Sequence, residues 1–174
     1  HSKGVYIIDL KPDNMLLCGK SLKYADLDDV LIRSRMQEAM EKGEDFKVVA
    51  AQFYSDIYFS DYFQLFKETA YYENNIDKLT YMFSYLDWYA WSMITVLYTL
   101  GMPKEKYDRS QFPQEWIKPI EILLEGFLEP YKRIAFEFIM NYAKREKKYV
   151  NMNFLKSEVD KMEAHWTDSM CLKF

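Results

Sequence analysis

The sequence predicts a mainly helical fold with one small β-hairpin near its start, and three observations carry this. Five Gly and five Pro in 174 residues supply too little backbone punctuation for a turn-dense β-sandwich. Beyond residue 28, apolar residues recur at helical spacing over most of the chain. The clear exception is the apolar run Met15-Leu16-Leu17-Cys18, the reversal Gly19-Lys20-Ser21 and the alternating Leu22-Lys23-Tyr24-Ala25, which together read as a hairpin.

Composition bounds the class of protein. With 49% hydrophobic residues, among them 12 Phe, 15 Tyr and 4 Trp, the chain can bury the core of one domain and is not disordered. Its 23 Lys and Arg against 27 Asp and Glu leave a net charge of −4, which excludes nucleic-acid binding through bulk charge. The two cysteines, Cys18 and Cys171, show no Cys/His ligand spacing, so zinc fingers, disulfide scaffolds and c-type haem are excluded. Free thiols fit a reducing compartment, and a cytoplasmic location is expected, although a secreted effector would also accommodate the sequence. The longest charge-free stretch, from Trp88 to Pro103, is too short for the ~20 apolar residues of a membrane span, so no transmembrane segment is expected. No basic region followed by an apolar run opens the chain, so no secretory signal is expected.

After the hairpin, Asp28 or Asp29 suits the cap of a short amphipathic helix through Val30, Leu31, Arg33, Arg35, Met36, Met40 and Lys42, with Gly43 as its stop signal. Cys18, inside an apolar strand, reads as a core thiol. Phe53, Ile57, Tyr58, Tyr62, Phe63 and Phe66 make the aromatic segment 53–72 helical rather than extended, with core packing preferred over a partner-docking role. Asn74-Asn75 breaks the pattern. Asp77 then opens a long helix ending at Gly101, in which Leu79, Met82, Phe83, Leu86, Tyr89, Ala90, Met93, Ile94, Val96 and Leu97 cover nearly the whole circumference, as in a central buried helix. A polar connection leads to Pro113, suited to a first helical turn. Trp116, Ile117, Ile120, Leu123, Leu124 and Phe127 then mark one face, and Tyr131, Ile134, Ala135, Phe138, Ile139 and Tyr142 another. The basic run 144–148 closes that helix, and Phe154, Leu155, Val159 and Met162 mark a last one within 151–165. The isolated His165 reads as a surface or cap residue.

The residues that carry chemistry lie near the start, in Asp9-Leu10-Lys11-Pro12-Asp13-Asn14. Phosphoryl transfer needs a carboxylate to orient and deprotonate a hydroxyl, a cation near the transferred group and oxygen ligands for magnesium, and this stretch holds all three. The spacing from Asp9 to Asn14 resembles the catalytic loop of eukaryotic-type Ser/Thr protein kinases, with the form H-R-D-L-K-P-x-N. His1-Ser2-Lys3-Gly4-Val5 resembles the end of the helix that leads into that loop. Beyond the hairpin turn, Leu22-Lys23-Tyr24-Ala25-Asp26-Leu27-Asp28, with Asp26 twelve residues after Asn14, resembles the strand and the magnesium-binding D-F-G element. Asp87-Trp88-Tyr89-Ala90-Trp91-Ser92-Met93-Ile94 resembles the start of the central helix of the kinase C-terminal lobe, whose Asp holds the catalytic-loop backbone.

The resemblance implies a kinase-like C-terminal lobe whose core is residues 1–101, with 102–174 as its helical remainder. It implies Asp9 as the residue that accepts or orients the substrate hydroxyl, Lys11 as the cation steadying the γ-phosphate, Asn14 and Asp26 as magnesium ligands, and ATP as co-substrate. The Lys11-Pro12 pair favours a Ser/Thr protein kinase over choline kinases and aminoglycoside phosphotransferases. The chain departs from the family where Ile7-Ile8 replaces His-Arg, which puts control by activation-loop phosphorylation in doubt, and where Asp28 replaces the D-F-G glycine. No A-P-E element stands between Asp26 and Asp87, and the 174 residues contain none of the N-terminal-lobe elements that hold ATP. The expectation is a C-lobe that works when joined to such a lobe, on a protein substrate or with a regulatory protein partner. These departures leave a pseudokinase scaffold as the alternative, and a helical interaction module as a third reading.

Overall fold

The computed structural model describes residues 1–28, 30–44, 75–101 and 114–143. The readings of the aromatic segment 53–72, of Pro113, of the basic run 144–148, of the helix within 151–165 and of Cys171 lie outside the described residues. The chain divides into two compact units, residues 1–91 and 92–174. It is mainly helical with a small amount of paired strand.

In the first unit, strand β1 (Val5–Tyr6) leads to a 3-10 turn at Pro12–Asn14 and then to β2 (Met15–Cys18) and β3 (Ser21–Tyr24). β2 and β3 form the expected antiparallel hairpin, with Met15 opposite Tyr24 and Cys18 opposite Ser21 around Gly19-Lys20. The 3-10 turn follows from its sequence. The residue before a proline is driven out of the helical region, and Lys11 is extended at φ −148°, ψ 156°. Pro12 then presets the first turn position, where its lack of an N–H costs nothing.

Strand β4 (Leu31–Ile32) pairs antiparallel with β1, a pairing that local pattern does not announce. It moves the start of the next helix: α1 spans Arg33–Glu41, with Ile32 at the cap position and no side-chain cap, so Asp28 is not the cap expected from the sequence, and Asp29 lies outside the described residues. The Arg33 N–H donates to the Gly4 carbonyl at 2.8 Å, and the chain comes so close that a Cβ on Gly4 would lie 3.0 Å from that of Arg33. Residues 1–4 form a turn rather than the end of a helix. Helix α1 stops as its sequence signals. Gly43 is left-handed at φ 71°, its N–H donates to Met40 and that of Glu44 to Ala39, the paired bonds of a Schellman motif.

Helix α2 (Ile76–Leu100) carries the core of this unit in its first half. Leu79, Met82, Phe83 and Leu86 pack with Tyr6, Ile8 and Met36, and Leu31, Met40 and Ile76 close the edge of the cluster. The burial is not uniform around the helix. Tyr81, Ser84, Trp88, Trp91 and Thr95 are partly exposed and Tyr98 is exposed, a stripe at three- and four-residue spacing. Met36, 2% exposed, ties α1 to this core. Met36→Ala is expected to lower unfolding stability by about 2–5 kcal/mol, measured by urea denaturation with the slope unchanged.

The hairpin itself is exposed, and Cys18 with it, so the thiol does not lie in a core as its apolar neighbours suggested. Two short strands have one face at most to bury, and here Leu16, Leu17 and Leu22 are all largely exposed.

In the second unit, α3 (Gln114–Glu125) and α4 (Pro130–Ala143) pack against each other. Trp116 and Ile120 are buried from α3, and Ile134, Ala135, Phe138 and Ile139 from α4, as predicted, while Phe136 and Met140 join them outside the predicted stripe and Tyr131 is exposed. Phe127 departs from them: it lies between the helices and is 94% exposed, because α3 ends at Glu125. Arg133 explains how that end is held. Its guanidinium donates to the Leu124 carbonyl at 3.1 Å and to that of Gly126 at 3.0 Å, supplying partners for terminal carbonyls that lack them within the helix. None of the described helices is long and apolar enough to cross a membrane.

Candidate functional site

The site is built on residues 7–26, all within the first unit. Lys11 Nζ lies 2.6 Å from Asp9 Oδ2, and Asn14 Nδ2 lies 3.1 Å from the same oxygen. Asn14 Nδ2 also donates to the Asp9 carbonyl at 3.2 Å. The 3-10 turn at Pro12–Asn14 brings this about, since it folds the chain back within five residues. Asn14 is buried, while the Asp9 and Lys11 side chains retain 13% and 24% exposure, enough for contact with a bound molecule.

A residue that local sequence pattern does not single out completes this cluster. The Tyr24 hydroxyl donates to the Asp9 carbonyl and accepts from Asn14 Nδ2 at 3.3 Å. Burial raises the Tyr24 pKa above the usual phenol range, against the lowering effect of the Asn14 contact, and the carboxylates of Asp9, Asp87 and Asp26 act in the same direction as burial. The hydroxyl is therefore a proton donor at neutral pH. Its position follows from the hairpin register: Tyr24 is opposite Met15, the residue after Asn14, and only the pairing of the strands reveals that it reaches the loop. Tyr24→Phe is expected to lose about 1 kcal/mol of stability while leaving the fold intact, because Asn14 still serves the Asp9 carbonyl. A chemical-denaturation midpoint and the hydrogen-exchange rate of the loop amides check this.

Asp26 is held near the cluster through the backbone. The Ala25 N–H donates to the Asn14 carbonyl at 2.7 Å, so the strand is tied to the loop one residue before Asp26. Asp26 is exposed and has a left-handed backbone, φ 61°. Ile8, just before Asp9, is also left-handed at φ 64°. For a β-branched residue this conformation costs of order 1–3 kcal/mol and persists only where surrounding contacts over-determine it. The two non-glycine residues with this backbone among the described ones thus flank or coincide with two of the candidate carboxylates.

The contacts that hold Ile8 come from α2. Asp87 Oδ1 accepts from the Ile8 N–H at 2.6 Å, and Asp87 Oδ2 accepts from the Ile7 N–H at 2.9 Å and contacts His1 Nε2 at 2.8 Å. The Ile8 side chain is buried in the apolar cluster with Met82 and Phe83. Position 8 faces a core, and this accounts physically for an aliphatic residue there. Burial pushes the Asp87 carboxyl up to about 6, against the two backbone hydrogen bonds that favour the anion. A protonated His1 ring would add to the bias toward the anion.

The structure therefore gathers Asp9, Lys11 and Asn14 on one oxygen, brings Tyr24 to them, and ties the backbone beside Asp26 to the same loop. Among the described residues, no group of three or more His, Cys, Asp or Glu side chains is arranged to hold a metal ion. Comparison with protein-family models, with curated proteins and with solved structures finds no match.

Proposed function

We propose that this chain is the C-terminal lobe of a divergent protein kinase, which transfers the γ-phosphoryl group of ATP to a Ser or Thr hydroxyl when joined to a lobe that holds the nucleotide. The observation that carries the reading is the convergence of Lys11 Nζ and Asn14 Nδ2 on Asp9 Oδ2. An acid, an amine and an amide five residues apart at most have little reason to meet on one oxygen in an ordinary polar turn. A second support is the grip of Asp87 on the Ile7 and Ile8 amides, which fixes the backbone immediately before Asp9.

In this reading the substrate hydroxyl oxygen attacks the γ-phosphorus, its proton passes to the Asp9 carboxylate, and ADP leaves. Lys11 steadies the charge of the transferred group. The residues fit magnesium in kind, since an amide oxygen from Asn14 and a carboxylate from Asp26 are hard donors, and this ion takes one or two protein ligands together with phosphate and water. Bound there, magnesium would neutralise phosphate charge. Asn14 is already oriented for such a role by its contacts with Asp9 and Tyr24.

A second reading, a pseudokinase scaffold, is favoured by the same geometry seen differently. Asp9 Oδ2, an oxygen that would take the hydroxyl proton, is already engaged by both Lys11 and Asn14. One experiment separates the readings. The full-length protein is incubated with magnesium and labelled ATP, with a basic protein as acceptor, and its melting temperature is recorded with and without nucleotide. Incorporated label supports the kinase. A nucleotide-dependent rise in melting temperature without incorporation supports the scaffold, and neither effect removes both.

A further inference from the structure

Beside the Asp9 loop is a cleft of about 410 Å³ whose lining, among the described residues, lies in the first unit. Val5, Ile7, Leu10, Trp88 and Trp91 supply its apolar lining, while Asp87 and His1 supply its polar groups. Its size and its mostly apolar lining with a few convergent polar groups are those of small-molecule sites. The two indoles meet edge to face, with centroids 5.2 Å apart and planes at 90°, so they present differently oriented ring surfaces. They belong to the stripe of α2 that stays partly exposed in a helix otherwise largely buried.

Positive charge near Asp87 is incomplete: the His1 α-ammonium favours its anion, but burial opposes the anion more strongly. Asp87 is 5% exposed and its hydrogen-bond donors are two neutral backbone amides and one imidazole. Neutral amides satisfy lone pairs but bring no net positive charge, and a buried carboxylate without a full counter-charge is costly. The upward-shifted titration of this group is the expected symptom. Indole faces, in turn, attract cations within about 6 Å of the ring centroid. Aliphatic side chains, two indoles and an under-compensated carboxylate together select a ligand with an apolar body and one cationic head.

We propose that this cleft binds small amphipathic cations, of the class of an aryl- or alkyl-ammonium, with the apolar body between Leu10 and the indoles and the charged head toward Asp87. The site is independent of the phosphoryl-transfer reading, since none of its seven described lining residues is Asp9, Lys11, Asn14 or Asp26. It nevertheless abuts that loop, because Ile7 and Leu10 stand on either side of Ile8-Asp9. A bound cation adds positive charge to the carboxylate that holds the Ile7 and Ile8 amides, so occupancy should slow exchange at those two N–H groups.

The test uses three probes of nearly equal size on the whole chain: benzylammonium, benzyl alcohol and benzoate, each titrated by calorimetry and by tryptophan fluorescence. Benzylammonium should bind at least tenfold more tightly than benzyl alcohol, with benzoate weakest, and should slow hydrogen exchange at Ile7 and Ile8. Trp91→Leu should weaken benzylammonium at least fivefold and largely remove its advantage over benzyl alcohol. The ranking of probes on the unaltered chain needs no variant, so a poorly folding Trp91→Leu would not spare the proposal. Benzoate or benzyl alcohol binding as tightly as benzylammonium, undetectable binding of all three, or a folded Trp91→Leu protein that keeps full preference for the cation would each overturn it.

Discussion

Asp87→Ala is expected to destabilise the protein by about 2–5 kcal/mol, because it strips the acceptors from two backbone N–H groups at once, and each such group left unsatisfied in the interior costs about 1–3 kcal/mol. The loss falls at a sensitive point. Ile8 is held left-handed by the 2.6 Å bond to Asp87, and without it the backbone before Asp9 is free to relax. Asp87→Asn should fall between the two, since its amide offers one acceptor oxygen where the carboxylate offers two. The pH dependence has a definite sign. The folded-state pKa of Asp87 is raised from 3.8 to about 6, so between these values the native state binds more protons than the unfolded state, and this group makes stability fall as pH rises. The stabilisation is whole below pH 4 and lost above pH 6, and its size at one pKa unit per 1.36 kcal/mol is about 3 kcal/mol. Other groups titrate in the same window. The clean measurement is therefore the difference in urea-unfolding free energy between the unaltered chain and Asp87→Asn across pH 4 to 7. That difference should shift against the unaltered chain as pH rises, and a constant or opposite trend would contradict the burial of this carboxylate.

Asp9→Asn carries the largest expected effect on activity. Under the proposed kinase reading, phosphoryl transfer by the protein joined to its nucleotide-holding lobe should fall by about 10²–10⁴-fold in kcat, the usual contribution of a positioned general base, with little change in the KM for ATP. Asparagine keeps an oxygen for Lys11 and Asn14, so the turn at Pro12–Asn14 should survive and melting temperature should change little. Lys11→Met should also lower kcat, through lost charge beside the transferred group, and it frees Asp9 Oδ2 from one of its partners. Under the scaffold reading these variants change nucleotide-dependent melting or partner binding, with no transfer activity to lose. Normal turnover in a folded Asp9→Asn protein would exclude the role assigned to this carboxylate.

Much of the local structure was legible because its causes are local. The Lys11-Pro12 pair forces an extended residue before a tight turn, Gly43 supplies the left-handed residue that ends α1, and the spacing of Leu79, Met82, Phe83 and Leu86 marks the buried face of α2. The misreadings share one cause, contacts between residues far apart in the chain. β4 takes Leu31 and Ile32 from the expected helix because β1 lies alongside, and the cap signal at Asp28 does not outweigh that pairing. Cys18 is exposed although its neighbours are apolar, since a two-stranded hairpin has nothing to pack against within itself. Phe127 continues an apolar rhythm past the true end of α3, where the guanidinium of Arg133, from the following helix, takes the last carbonyls.

By itself the sequence determined the mainly helical class, the hairpin, and the residue types that phosphoryl transfer needs, gathered between Asp9 and Asn14, because propensity, periodicity and side-chain chemistry are properties of neighbouring residues. Only the tertiary structure decided that three of those side chains meet on one carboxylate oxygen, that Tyr24 bridges them from a paired strand, and that Asp87 grips the loop from 79 and 80 residues away. Such contacts depend on register and on burial. A buried carboxylate finds its donors through the packing of α2 against the start of the chain, and that packing is a sum over many side chains that no single stretch of sequence contains.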